Sequence, residues 1–133
     1  MSEPVWIDEA LVLAIHERQL VEHGGAPGVR DETLLLSALA RPRNHFVYAG
    51  PDVVELAMLY AAGIVRNHPF VDGNKRTGFV VGVLFIELND YAFTASEEAA
   101  ALAVLELAAG TMDEAGYSGF LRANVTPVPA AEA

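Results

Sequence analysis

The sequence predicts an all-α domain, a compact bundle of five to six helices around a buried central helix. Apolar residues recur at helical spacing along most of the chain, as at Leu11, Ala14 and Ile15. The longest apolar run, at 79–86, suits a buried helix and is too short to span a bilayer. We find no convincing strand pattern, apart from a short one at 91–93.

The first two helices are predicted from their capping residues and from the breakers that follow them. Asp8 is suited to cap a first helix, which should end near His23 because a dense Gly/Pro cluster follows. Asp31 is suited to cap a second, short helix. We expect that helix to stop at Arg41, since proline breaks a helix interior, and residues 41–51 to be irregular.

The next two helices are predicted from their apolar residues. A third helix over 52–67 carries apolar residues along one face. A fourth, over 74–89, is apolar on every side in its middle, which is typical of a buried central helix. Gly78 and Gly82 lie four residues apart on this helix and should let a neighbouring helix approach closely.

Two further helices are predicted at 97–109 and 118–124, the first of them capped by Thr94 or Ser96. Gly110 is suited to end the first, because glycine readily adopts the left-handed conformation that commonly follows a helix. The residues after 124 are rich in Pro and Ala and predict no regular element.

Length and composition describe one globular domain. A chain of 133 residues that is 53% hydrophobic is long enough to bury a core, so we expect a single domain over 1–124 and a disordered tail over 125–133. The absence of Cys and of a signal pattern favours a cytoplasmic protein. A net charge of −10 argues against direct nucleic-acid binding, which requires a basic surface.

Polar side chains concentrate in one segment, HPFVDGNKRTG at 68–78, between two apolar helices. A loop that enters a helix leaves the first backbone N–H groups unpaired, and the helix dipole adds positive charge there. Gly73 lets the backbone turn tightly. Lys75 and Arg76 are cations at the unfavourable end of a helix dipole unless an anion compensates them. These features predict a phosphate site.

Three other side chains complete this segment. Beside phosphates, the carboxylate of Asp72 is suited to hold Mg²⁺. His68 belongs to the one residue type in the segment that exchanges protons readily near neutral pH. Phe70 is expected to plug into the core and to anchor the loop. The plainer alternative is a generic polar loop in which Asp72 or Asn74 merely caps the helix.

Spacing argues against two other kinds of site. GNKRT lacks the preceding glycine that a Walker-type phosphate loop requires. The four histidines show no paired helical spacing of the kind that zinc sites use. They are His16, His23, His45 and His68.

At the polar segment the chain resembles the Fic/Doc family, whose defining loop is HPF-x-[DE]-G-N-[GK]-R. HPFVDGNKR fills every position of that pattern. EHGGAPGVRDETLLLSALARPRN, at 22–44, resembles the N-terminal region of the death-on-curing (Doc) branch, whose members are toxins of toxin–antitoxin pairs. The resemblance covers about 16–110 and implies a minimal Fic/Doc-type helical bundle in a bacterial cytoplasm.

Lys75 decides which activity the resemblance implies. Family members that transfer AMP to hydroxyl groups carry Gly there, usually with a second Arg one turn further on, which this helix lacks. The Doc branch carries Lys, which implies ATP bound in the reversed sense and transfer of its γ-phosphate to a threonine of elongation factor Tu, blocking translation. AMP transfer remains an alternative, because Pro69 and Gly73 follow the Fic pattern. A catalytically silent nucleotide-binding or antitoxin-binding module is another.

The resemblance also implies a role for each motif residue. His68 would be the general base on the target hydroxyl, and Asp72 would bind Mg²⁺ that bridges the phosphates of ATP. The other polar positions would bind the phosphates: Gly73, Asn74, Lys75 and Arg76. Arg66 is a possible auxiliary contact to nucleotide or target, or else a cation suited to the end of its helix.

Two regions outside the motif are interpreted through the same resemblance. Residues 41–50 correspond to the target-docking flap of the family, with three candidate contacts: His45, Phe46 and Tyr48. A plain ordered loop is the alternative. TASEEA, at 94–99, departs from the autoinhibitory signature [ST]-x-x-x-E-[GN] at Ala99, so helix capping explains it better. Restraint is therefore expected in trans, from the C-terminal segment of a Phd-like antitoxin that folds on binding.

Overall fold

A computed structural model gives the fold and describes residues 3–50 and 52–129. The elements in this part of the chain are α1 Glu9–His23, α2 Glu32–Ala49, α3 Val53–Asn67, α4 Asn74–Leu88, β1 Tyr91–Phe93, α5 Glu97–Ala109, α6 Glu114–Ala123 and β2 Val125–Pro127. The all-α class is confirmed, with six helices and one small sheet. No helix among the described residues has the length and apolarity needed to cross a bilayer.

The buried central helix is α3, whereas the sequence pattern had indicated α4. Residues 56–65 of α3 are all buried, because α2, α4, α5 and α6 pack around it. On α4 the buried residues alternate with partly exposed ones such as Phe79 and Leu84. A helix that is apolar all round is therefore not always the most enclosed one.

Gly78 and Gly82 allow α3 and α4 to approach closely, as the sequence predicted. A Cβ at Gly78 would lie 2.8 Å from Val65 Cγ2 and 3.1 Å from the carbonyl oxygen of Ala61. A Cβ at Gly82 would lie 3.2 Å from the carbonyl oxygen of Ala57. The two glycines thus form the surface of α4 that packs against α3.

Replacing Gly78 with alanine should destabilise the protein. Steric strain against α3 costs about 1–3 kcal/mol, which exceeds the roughly 1 kcal/mol that alanine gains in helix propensity. Gly119→Ala in α6 is the matched control, because nothing lies within 4 Å of a Cβ at that position. Urea unfolding of both variants measures the difference, and equal stability would contradict the close approach of the helices.

The second helix runs past its predicted end. We predicted that it stops at Arg41, but α2 continues through Pro42 and ends at Ala49. Pro42 is buried, and one turn later the ring of Phe46 packs edge-on against Trp6, with 5.5 Å between their centroids. Tertiary packing on both sides of the proline outweighs its local cost of roughly 3 kcal/mol.

The C-terminal elements also differ from the prediction. Helix α6 begins at Glu114 rather than at 118, because the carboxylate of Asp113 caps it by accepting from Gly116 N at 2.7 Å. Part of the predicted disordered tail is ordered, since β2 pairs antiparallel with β1 and Val125 packs against the core. The last four residues of that predicted tail, 130–133, lie outside the described residues.

The turn at 89–90, which follows α4, forms hydrogen bonds with a segment before α1 and with a segment after β2. The side chain of Asn89 accepts from Val5 N at 2.8 Å and donates to Val5 O at 3.1 Å. Asp90 O accepts from Val128 N at 2.8 Å. This turn lies at the opposite end of α4 from the polar segment at 68–73.

Candidate functional site

Residues 68–73, here called the motif loop, connect α3 to α4. His68 ends α3 in the left-handed conformation, with φ 54° and ψ 53°, and its side chain is exposed. This conformation costs a residue other than glycine roughly 1–2 kcal/mol. Contacts from elsewhere in the fold must therefore hold the backbone at His68.

Asn74, at the start of α4, closes the motif loop. Its side chain is buried, with Oδ1 accepting from Phe70 N and Nδ2 donating to Phe70 O, both at 2.9 Å. Phe70, which we predicted from the sequence to anchor the loop in the core, is fully buried. Because both polar atoms of the Asn74 amide serve the loop, a contribution to an anion site falls to the backbone N–H of Asn74.

His16 supports the motif loop from α1. Its ring is 3% exposed and stacks on Phe70, with 3.8 Å between centroids and 8° between planes. His16 Nε2 lies 2.8 Å from the carbonyl oxygen of Asp72. A carbonyl only accepts, so Nε2 donates and carries the proton.

The sequence reasoning considered His16 as a zinc ligand and set it aside, so this contact was missed. A signal was present in the spacing of α1. His16 lies four residues after Val12 and three before Gln19, and these three are the buried residues of the helix. A histidine in a buried stripe needs a polar partner, which here is the motif loop.

Asp72 presents an ionised carboxylate at the surface. Its Oδ1 accepts from Gly73 N at 2.8 Å and its Oδ2 from Ala26 N at 3.3 Å. These hydrogen bonds, first that from Gly73, hold the pKa of Asp72 below its ordinary value, and the charge of Arg76 adds to the effect. A Cβ at Gly25 would lie 2.9 Å from Asp72 Oδ2, so glycine leaves room for the carboxylate.

The donor set at Asp72 fits a magnesium ion that comes with phosphates. Among the described residues, no group of three or more His, Asp or Glu side chains is placed to hold a metal. Mg²⁺ bound to a nucleotide needs only one or two carboxylates, the phosphates and water supplying its other ligands. A single exposed carboxylate that stays ionised meets that requirement.

The N-terminus of α4 has no side-chain cap. Gly73 caps it with φ 80° and without a side-chain hydrogen bond, whereas the other five helices of the described chain start at an Asp or Ser whose side chain accepts from the first turn. Lys75 and Arg76 follow in that first turn, and both are exposed. Neither forms an ion pair within the described residues. Positive charge therefore gathers here without a protein carboxylate to balance both cations.

The segment at 24–31, here called the bracket, joins α1 to α2 and runs alongside the motif loop. Val29 forms an antiparallel bridge with Phe70, and Gly28 O accepts from Val71 N at 3.1 Å. Arg30 donates from Nε to His68 O at 2.7 Å and from Nη2 to the carbonyl of residue 67 at 3.0 Å. From the sequence we predicted that this segment ends α1, and we noted its resemblance to the Doc branch. The contacts between the bracket and the motif loop were not predicted.

Arg66, the possible auxiliary residue, is exposed on the last turn of α3. Its Nη2 lies 3.5 Å from Met112 O, and it lines a cavity of about 500 Å³ together with Arg41 and Glu114. The hydrogen bond from Arg41 lowers the pKa of Glu114, and the charge of Arg66 adds to this effect. No hydrogen bond within the described residues joins Arg66 to the motif loop.

The segment compared with the target-docking flap is helical, not the irregular loop that we predicted. Residues 41–49 form the C-terminal part of α2. Phe46 packs against the core, whereas Tyr48 is 90% exposed. His45 and Tyr48 line a cavity of about 590 Å³ between α2, α3 and α6. Pro51 lies outside the described residues.

Comparison with known proteins identifies the family of this chain. A family model described as "Fic/DOC family" matches residues 6–86, which contain the bracket, the motif loop and most of α4. "Protein kinase doc" of Escherichia phage P1 is 30% identical over 94 residues, which span 70% of this chain and 75% of that protein. "Toxin Doc" of Mycolicibacterium smegmatis is 38% identical over 71 residues, 52% of this chain and 55% of that protein. The chain therefore belongs to the Fic/DOC family.

Proposed function

We propose that this protein is a Doc-type toxin that transfers the γ-phosphate of ATP to a hydroxyl group of a protein. The observation that carries the proposal is the uncapped N-terminus of α4, where Lys75 and Arg76 are exposed, as are His68 and Asp72 in the motif loop that precedes it. Backbone N–H groups, the helix dipole and two cations together suit a polyphosphate. The name "Protein kinase doc", given to a relative, supports phosphate transfer as the reaction.

The proposed reaction needs a base and charge stabilisation. His68 accepts the proton of the target hydroxyl, whose oxygen forms a bond to the γ-phosphorus while the bond to the β,γ-bridging oxygen breaks and ADP leaves. Lys75 and Arg76 neutralise charge on the transferred group, with the first N–H groups of α4. Asp72 would hold Mg²⁺, which supplies further neutralisation of the phosphates when bound.

Lys75 favours phosphate transfer over AMP transfer. An ammonium at this position of the helix N-terminus occupies volume and adds a point charge, so a polyphosphate must lie differently than it would beside glycine. AMP transfer is the second candidate, because the motif loop retains Pro69 and the left-handed Gly73 of the family pattern.

Two labelled nucleotides separate the candidates. We expect label from γ-³²P-ATP, and none from α-³²P-ATP, on elongation factor Tu, the target proposed from the family resemblance. Mass spectrometry of the product should place the added phosphate on a threonine. Chelation of Mg²⁺ should abolish the transfer. Transfer of the α-label instead would establish AMP transfer and refute our proposal.

We further propose that a Phd-like antitoxin restrains this protein in the bacterial cytoplasm. The support is the similarity to "Toxin Doc" and the segment before α5, which departs from the inhibitory signature at Ala99. In this segment Thr94 Oγ1 donates to Asn124 O and Ser96 caps the helix. Expression of the wild type alone should stop growth, and coexpression with the antitoxin should restore it. If the wild type and His68→Ala were equally harmless, a catalytically silent binding module would be the better description.

A further inference from the structure

We propose that Arg30 is a positioning residue that sets the direction of the His68 side chain. This inference deepens the proposed function and rests on His68 being the base of that reaction. Arg30 belongs to the bracket, lies 38 residues before His68 and is exposed. Its side-chain hydrogen bonds go to the backbone of residues 67 and 68, so we expect its effect on the reaction to pass through the motif loop.

The argument starts from the two peptide planes that flank the Cα of His68. Because each peptide unit is planar, φ and ψ of His68 are fully described by the orientations of the planes before and after it. The carbonyl of Asn67 belongs to the first plane, and the carbonyl of His68 belongs to the second. Arg30 Nη2 donates to Asn67 O at 3.0 Å, and Arg30 Nε donates to His68 O at 2.7 Å. One guanidinium therefore holds both planes.

The backbone of the bracket extends this hold by one residue. Pro69 O accepts from Arg30 N at 2.7 Å and from Asp31 N at 3.0 Å. Three successive carbonyls, at residues 67, 68 and 69, thus depend on hydrogen bonds from Arg30. The bridge between Val29 and Phe70 fixes the bracket itself against the motif loop.

The left-handed conformation explains why such a hold is needed. A histidine with φ 54° is unfavourable by itself, and release of the carbonyls would let the residue move towards an extended or right-handed conformation. Either change would turn the Cα–Cβ bond of His68 and so point its imidazole in another direction. A misplacement of about 1 Å costs a reaction roughly 100-fold in rate.

The guanidinium is suited to this work in a way that an ammonium is not. Its donors are fixed in one rigid plane, so two bonds to neighbouring carbonyls define a direction. Lysine would offer a point charge on a flexible stem and would hold one carbonyl at a time. The positive charge also suits the C-terminal end of α3, where carbonyl groups carry partial negative charge.

A double-mutant cycle between Arg30 and His68 tests the inference. Arg30→Gln should lower kcat for transfer of the γ-label by about 10- to 100-fold, with KM for ATP unchanged. In a His68→Ala background the same substitution should cause no further loss, because it acts through the missing imidazole. Arg30→Lys should fall between the wild type and Arg30→Gln. Arg18→Gln removes a charge from an exposed pair with Glu22 and should leave kcat unchanged.

Two kinetic results would overturn the inference. One is an unchanged kcat in Arg30→Gln. The other is an equal loss on substituting Arg30 with and without His68, which would show that Arg30 only maintains the loop as a whole. Urea unfolding of each variant accompanies the kinetics, and we expect Arg30→Gln to be modestly less stable than the wild type but folded, because it loses two hydrogen bonds at an exposed site.

An NMR measurement keeps the test independent of the proposed reaction. The ¹³Cα and ¹³Cβ chemical shifts of His68 report its backbone conformation in the intact protein without substrate. They should change in Arg30→Gln and stay constant in Arg18→Gln. If the wild type transfers neither label, the proposed function fails, and the shifts still decide the positioning role. Unchanged His68 shifts in Arg30→Gln would refute it.

Discussion

Replacing His68 with alanine should lower phosphate transfer by about 10²–10⁴-fold, the contribution that a general base typically makes. The free energy of unfolding should change little, because the imidazole is exposed and alanine retains the backbone conformation and its hydrogen bonds. ATP binding should also persist, since the open N-terminus of α4, with Lys75 and Arg76, is untouched. The effect is thus expected in kcat and not in KM.

The measurement combines single-turnover transfer from γ-labelled ATP with urea unfolding. Asparagine tolerates positive φ better than most residues do, so His68→Asn is a second variant that keeps the backbone in place while lacking the base. Both variants should lose activity to a similar extent. A rate within tenfold of the wild type in either one would remove His68 from the role of base.

Replacing Asn74 with alanine should give the largest loss of stability. The substitution leaves the N–H and C=O of Phe70 without partners in a site where the phenyl ring is fully buried. An unsatisfied buried polar group costs about 1–3 kcal/mol, so the two together should cost about 2–6 kcal/mol. Transfer activity should fall as well, because the motif loop loses the two hydrogen bonds that hold its shape.

Asn44→Ala is the matched control for this experiment. Asn44 is exposed, and its loss should change the free energy of unfolding by less than about 0.5 kcal/mol. Urea titrations of the two alanine variants give the comparison directly. If Asn74→Ala were as stable as the control, the amide would not be holding the loop, and a role in phosphate binding would regain weight.

The elements that the sequence predicted well are those with local causes. Asp8 and Asp31, the predicted caps, each accept a hydrogen bond from the first turn of the helix that follows, so the start of that helix could be predicted from nearby residues. The end of α2 could not be read in this way. Pro42 is a local breaker, and only the distant contact of Phe46 with Trp6 shows why the helix continues.

The candidate site shows the same difference between features with local causes and features that depend on distant contacts. The polar residues of the motif loop are adjacent in sequence, and helix-end electrostatics were enough to suggest an anion site there. The supports of the loop come from far along the chain: His16 contacts Asp72 across 56 residues, and Arg30 contacts His68 across 38. Strand β2 likewise could be recognised only from its pairing with β1 in the structure. Pairings of this kind have no signature in a single sequence.

The turn at Asn89 and Asp90 has a practical consequence for labelling this protein. Because it binds both Val5 and Val128, probes attached near residue 3 or residue 129 would emerge beside it. The 15 residues of α4 separate that turn from the motif loop by about 22 Å. A fluorophore or surface tether attached at either position would thus leave the approach to the loop free. A donor and acceptor pair divided between the two positions would report on unfolding while substrates are bound.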